Sequence, residues 1–190
     1  MSMIQQTSIP EMIAQSKDVI VNPSVVTFER YEKRGTISNA AMYVGVAAAI
    51  SGVLGLTSGI SGLLSGVVGA LIGFFVFTGL VFYVGKQVAN GTGTWDEVAY
   101  TFSLFIAPLT VVGALLGLVV WIFHFIPFLG AMVALLGMLI SLVILLAQAY
   151  FAYIAVQSSM NILDQGKALT TLGLAVIGTF IVQVMILAIL

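Results

Sequence analysis

The chain has 190 residues, of which 61% are hydrophobic and only 7% charged, with a formal net charge of -1. An ordinary soluble domain carries about a quarter charged residues, so six Lys and Arg with seven Asp and Glu cannot cover a water-exposed surface of this size. With a mean hydropathy of +1.19, these figures exclude a soluble enzyme, a disordered chain and a nucleic-acid binder, which needs a basic footprint. Without cysteine there is no disulfide framework and no thiolate site, and one histidine is too few for a metal centre. No metal or other cofactor is implied. What remains is an all-α, polytopic membrane protein.

The first 21 residues are polar and weakly patterned, which predicts a mobile or loosely helical tail. Asn22-Pro23 predicts a helix start, with Asn as cap and Pro at the first helical position. On a helix over 22–34, Val21, Val25, Phe28 and Tyr31 share one face and Arg30, Lys33 and Arg34 the other. That is the pattern of a short interfacial helix with its basic residues toward headgroups.

Charges occupy three regions: the tail, the group Lys86, Asp96 and Glu97, and the pair Asp164 and Lys167. Between them lie uncharged stretches over 35–85, 98–163 and 168–190. A helix needs about 20 apolar residues to cross the hydrocarbon core. The first stretch fits two crossings, the third fits one, and the second fits two with residues to spare. Five spans return every Lys and Arg to one side, which the positive-inside rule makes cytoplasmic, with the N-terminus inside. A sixth span would export Lys167. The first apolar run follows a polar tail and reads as a signal-anchor, not a cleavable signal. Asn90-Gly91-Thr92 matches a glycosylation sequon that this topology leaves on the cytoplasmic side.

The spans are expected at about 38–58, 65–85, 108–125, 130–157 and 168–190. Thr57, Ser58, Gly59, Ser61 and Gly62 form a flexible turn between the first two. Small residues recur around it, with Gly62 in the turn, Gly66, Gly69 and Gly73 in the second span and Gly113 and Gly117 in the third. Such residues let helix backbones approach closely in lipid, within the chain or against another protein. Thr94-Trp95-Asp96-Glu97 reads as a capping box opening a shallow helix over 95–107, with Trp95 at the interface and Pro108 restarting the chain as span three.

No charged residue falls inside a span, which argues against ion-coupled transport. Gln148 and Gln183 are the expected buried polar groups, bonded to neighbouring helices. A small transporter or lipid-translocating protein would need a polar cavity lined by Gln148, Gln183, Tyr150 or Tyr153. Asp96 and Glu97 are adjacent acids, but in a first helical turn they complement the dipole. Gly59-Ile60-Ser61-Gly62 matches the G-x-S-G pattern of rhomboid proteases, with His124 on the same side. A Gly/Ser-rich turn produces that match by chance, and Ser61 remains a remote alternative nucleophile.

Asn22-Pro23-Ser24-Val25-Val26-Thr27-Phe28-Glu29-Arg30 resembles the helix that precedes span one in bacterial and archaeal proteins of the Yip domain family, the Ypt/Rab-interacting proteins. The segment from Thr94 to Pro108 is similar to that family's Gly-rich loop, aromatic helix and Pro, with Tyr100, Ser103 and Pro108 matching its Tyr, Ser and Pro. Ile126-Pro127-Phe128-Leu129-Gly130 and Gln165-Gly166-Lys167-Ala168 resemble its turns before spans four and five. The resemblance covers about 20–190 and implies five spans with a cytoplasmic N-terminus. Eukaryotic members bind prenylated Rab GTPases, but their Asp-Leu-Tyr-x-Pro motif is absent here, so Rab binding is not carried over.

The expectation is a non-enzymatic scaffold or lipid- and partner-binding protein of a prokaryotic inner membrane. Its contact residues would be Arg30, Lys33, Arg34, Trp95, Tyr100, Ser103 and Pro108. Its partners would be membrane lipids and a protein or second copy within the membrane.

Overall fold

A computed structural model describes the main chain of residues 7–55 and 59–189 and the side chains of 7–55 and 66–186. Among the described residues the regular structure is entirely helical: α1 (Ile9–Val21), α2 (Val25–Glu32), α3 (Ile37–Leu54), α4 (Gly59–Ala89), α5 (Trp95–His124), α6 (Leu129–Ser159) and α7 (Gln165–Ile189). Five of them, α3 to α7, are long and apolar enough to cross a membrane. The chain is an integral membrane protein.

The tail is more ordered than its polarity suggests. Ser8 opens α1, and the Glu11 carboxylate accepts from both its N–H and its hydroxyl, at 2.8 and 2.9 Å. Met12, Gln15, Ser16 and Val19 are buried on one face of α1. Two of those four are polar, so the face carries little hydrophobic signal in the sequence. The start of α2 also lies two residues later than expected. Ser24 is its cap, accepting from the Thr27 N–H at 3.2 Å. Asn22 instead closes α1, with its amide bonded to Asp18 Oδ1 at 3.0 Å.

The third span differs from the sequence expectation as well. Residues 95–124 form one continuous helix that runs through Pro108. Proline removes an N–H and crowds the carbonyl one turn back. Here nearly every residue from Val98 to Ala107 is buried, so packing holds the turns that precede the defect.

Successive spans alternate in direction. The starts of α3, α5 and α7 and the ends of α4 and α6 therefore meet at one end, covered by α1 and α2, and this end carries the charges. α3 packs on α4 and α5, α5 on α6, and α4 on α7. The largest fully buried side chains, among them Tyr100, Phe28, Phe102, Phe105, Met12 and Met160, lie at or near that end.

α3 is short. Its start is level with that of α5, because the Ile37 N–H donates to Asp96 Oδ1 at 2.7 Å. The two helices are still level at Ser51 and Thr110, whose contact is 3.4 Å. α3 ends three residues later, while α5 continues for another fourteen. At 1.5 Å per residue, the α5–α6 hairpin runs about 17 Å beyond the end of α3.

Candidate functional site

The charged end is the most elaborately bonded part of the molecule. α1 is anchored to α5 and α3 through buried polar groups, and Thr7 just ahead of it is bonded to Asn39 and Arg34. Tyr100 donates its hydroxyl proton to Gln15 Oε1 at 2.7 Å. Ser16 and Tyr43 hydroxyls lie 2.9 Å apart. The Asn39 amide donates to the Thr7 carbonyl at 3.1 Å, and the Thr7 hydroxyl donates to the Arg34 carbonyl. A buried polar group costs free energy unless paired, so each bond also makes undocking α1 expensive.

α2 is held by aromatic packing and one buried acid. Phe28 meets Phe105 at 6.2 Å, Phe105 meets Phe102 at 5.4 Å and Phe151 at 5.7 Å, linking α2, α5 and α6. Glu32 is 3% exposed and accepts from the Ser158 hydroxyl of α6 at 2.9 Å. Burial pushes its carboxyl above the usual range, against the opposing pull of Ser158 and Lys33.

The loop between α4 and α5 is tied to the end of α6. The Thr92 N–H donates to the Met160 carbonyl at 3.0 Å, and the Asn161 amide to the Thr92 hydroxyl at the same distance. Lys86 donates to the Thr92 carbonyl at 3.2 Å. Asn90 and Asn161 both have positive φ, 57° and 54°, which suits Asn. The capping box at Thr94 and Glu97 is present, with bonds of 2.7 and 3.3 Å. Asp96 caps α3 rather than standing free as an acid.

Three cations face outward from this base. The Arg30 side chain is 53% exposed and bonded to Asp18 at 3.1 Å, and that of Lys33 is 72% exposed. Arg34 is exposed, and both guanidinium groups lie over the Tyr31 ring, at 5.9 and 5.4 Å. Trp95 is partly exposed, packed on Gly79 of α4 with Nε1 3.5 Å from the Thr78 hydroxyl.

The other sequence-nominated contact residues sit differently. Tyr100 and Ser103 are completely buried and offer no surface to a headgroup or partner. Tyr100 fastens α1, and the Ser103 hydroxyl bonds back to the Tyr100 carbonyl at 2.7 Å. Pro108 is half-buried inside α5. Gln148 is half-buried and Gln183 exposed, so neither is the interior polar group expected of it. The interior polar groups are instead concentrated at the charged end, as Gln15, Ser16, Glu32, Asn39, Ser103 and Ser158. Gln15, Ser16 and Glu32 look solvated in sequence, because eight of the thirteen charges fall in the tail.

A groove opens among α3, α4, α5 and α7, with two chambers of about 320 and 290 Å³ that share Ala48, Ala70 and Thr110. Gln183 lines it, with Nε2 3.3 Å from where a Cβ on Gly73 would stand. Gln148, Tyr150 and Tyr153 do not. Gly66 and Gly69 line it too, and a Cβ on either would meet no atom of the described residues within 4 Å. The same is true of Gly113 and Gly117 on α5. The side chains around Gly62 and Ser61 lie outside the described residues. His124 is exposed beside Phe125, with rings 5.9 Å apart. Among the described residues no group of His, Asp or Glu could hold a metal ion.

The family model of the Yip1 domain matches residues 17–186. No curated protein and no solved structure matches the chain.

Proposed function

Since this chain belongs to the Yip1 domain family of membrane proteins, we propose that it acts without catalysis, as a platform at the membrane surface that binds anionic lipid headgroups and a partner protein. The observation that carries this reading is the outward display of Arg30, Lys33 and Arg34 on a base in which α1, α2, α3, α5 and α6 are hydrogen-bonded to one another. A rigid base keeps the cations together at little entropic cost on binding. The charged end is then cytoplasmic, in the inner membrane of a prokaryote, as the placement of all Lys and Arg on one side favours.

Each basic residue near an anionic surface contributes about 1 kcal/mol. Replacing all three by Gln is therefore expected to weaken binding of phosphatidylglycerol to the purified full chain by more than about tenfold. Unchanged affinity would sink the headgroup assignment. Orientation is read separately. The chain has no cysteine, so Glu29→Cys gives a single thiol. A membrane-impermeant maleimide should label it only after cells are opened.

A further inference from the structure

Lys33, one of the three displayed cations, is also ion-paired to a buried carboxylate, that of Glu32. We propose that the headgroup site is controlled by the proton on Glu32: the proton and an anionic lipid bind the chain together, and loss of the proton weakens the site. The control rests on the headgroup binding proposed above.

The geometry joins an interior acid to an exterior cation. Glu32 is 3% exposed, and its Oε2 meets the Ser158 hydroxyl of α6 at 2.9 Å. Its Oε1 lies 3.6 Å from Lys33 Nζ, too far for a hydrogen bond. Lys33 itself points outward, with its side chain 72% exposed. The ionised carboxylate is thus held by one hydrogen bond and a loose ion pair, which is little compensation for a buried charge. A hydroxyl accepts as well as donates, so the Ser158 bond survives when Glu32 carries a proton.

The neighbouring elements add no relief. α6 has no Asp, Glu, Lys, Arg or His over Leu129–Ser159. α5 brings Glu97 and α2 brings Glu29, and both disfavour a further negative charge. On α1, Asp18 is committed to Arg30 at 3.1 Å. Burial and the two acids outweigh Ser158 and Lys33 and keep the carboxyl above its usual range. The charge balance makes its proton consequential. From Ile9 to Arg34 there are four Lys and Arg and four Asp and Glu, which cancel when all are ionised. A proton on Glu32 leaves this region with one net positive charge and frees Lys33 from its ion pair. One unit of charge near an anionic surface amounts to about fivefold in affinity. By linkage, the bound lipid strengthens proton binding by the same factor.

The test titrates a short-chain phosphatidylglycerol into the purified full chain at constant ionic strength, from roughly pH 5 to pH 8, where Lys and Arg stay charged. The phosphodiester of that lipid also keeps its charge throughout. Affinity should fall by about fivefold as pH rises through the raised carboxyl value, and binding in weak buffer should take up protons. Glu32→Gln keeps an acceptor for Ser158 and should hold the acid-side affinity at every pH, with no proton uptake. His124→Gln, at the far end of α5, should keep the wild-type profile. A flat wild-type profile, or binding without proton uptake, overturns the proposal even if no variant folds. So does a Glu32→Gln profile that falls as the wild type does. Replacing Arg30, Lys33 and Arg34 together by Gln separates this proposal from the headgroup site itself. Weaker binding at every pH beside a flat wild-type profile removes the proton control and leaves the headgroup site, whereas unchanged binding removes both.

Discussion

The hydroxyl of Tyr100 and the amide oxygen of Gln15 lie 2.7 Å apart, both buried, across 85 positions of sequence. This bond fastens a helix of the polar tail to the root of a membrane span. The ring of Tyr100 also fills the space over Gly35 that any added Cβ would need. Tyr100→Phe keeps the ring and orphans the Gln15 acceptor, so it should cost about 1–3 kcal/mol. The loss should appear as faster proteolysis within α1 in mild detergent. Equal protection of α1 in both proteins would contradict the anchoring role.

Glu32 should make the docking of α2 pH-dependent. Burial raises its carboxyl above the usual range, with Glu97 of α5 and Glu29 of α2 adding to the rise and Ser158 and Lys33 opposing it. In the folded chain it therefore keeps its proton where the unfolded chain has lost it. Its contribution is full below the ordinary carboxylate value and declines as pH rises through the raised one. Asp18 acts in the opposite sense. The Asn22 amide, the Tyr31 hydroxyl and the Arg30 charge hold it low, so its contribution disappears as pH falls through the lowered value. Hydrogen exchange of α2, corrected for intrinsic rates, should thus show protection decreasing above the ordinary carboxylate range. Glu32→Gln, which can still accept from Ser158, should flatten that decrease. Constant or rising protection in the wild type would refute it.

Glycines at the charged end and glycines in open positions should respond to alanine with opposite signs. A Cβ on Gly93 would overlap the Ser159 carbonyl, and one on Gly91 would stand 2.6 Å from Met160 Cε. Gly93→Ala should destabilise the fold by roughly 1–3 kcal/mol. A Cβ on Gly173 meets nothing within 4 Å among the described residues, so Gly173→Ala should gain up to about 1 kcal/mol of helix propensity. Thermal unfolding in detergent measures both, and equal shifts would contradict the packing described at the loop.

Among the described residues, Thr101 and Thr171 each bury a hydroxyl with no hydrogen-bond partner. Valine matches their shape without the polar atom. Thr101→Val and Thr171→Val should therefore leave stability unchanged or raise it by about 1 kcal/mol. A loss of that size would mean the hydroxyls bond to something the helices themselves do not supply.

Some of this was legible one residue at a time. The Thr94 and Glu97 capping box depends on residues three apart, and local spacing announces it. The membrane spans announce themselves too, because transfer to hydrocarbon depends on composition within a single window. The tail did not. Gln15 and Ser16 look solvated in sequence and are buried in the fold, since their partners Tyr100 and Tyr43 arrive from distant helices. Gln183 is the converse case. It reads as an interior amide, yet it is exposed and lines the groove among α3, α4, α5 and α7.

By itself, the sequence determined that this chain lives in lipid, that its charges gather in three regions, and that five helices can cross. These properties follow from counts and from runs of residues shorter than the bilayer is thick. Only the tertiary structure decided which polar groups are interior, which glycines are close contacts and which are open, and where a groove remains. Those depend on which helices become neighbours and on where each one ends. That is set by non-local bonds such as Asp96 to Ile37 and Glu32 to Ser158, which no local pattern encodes.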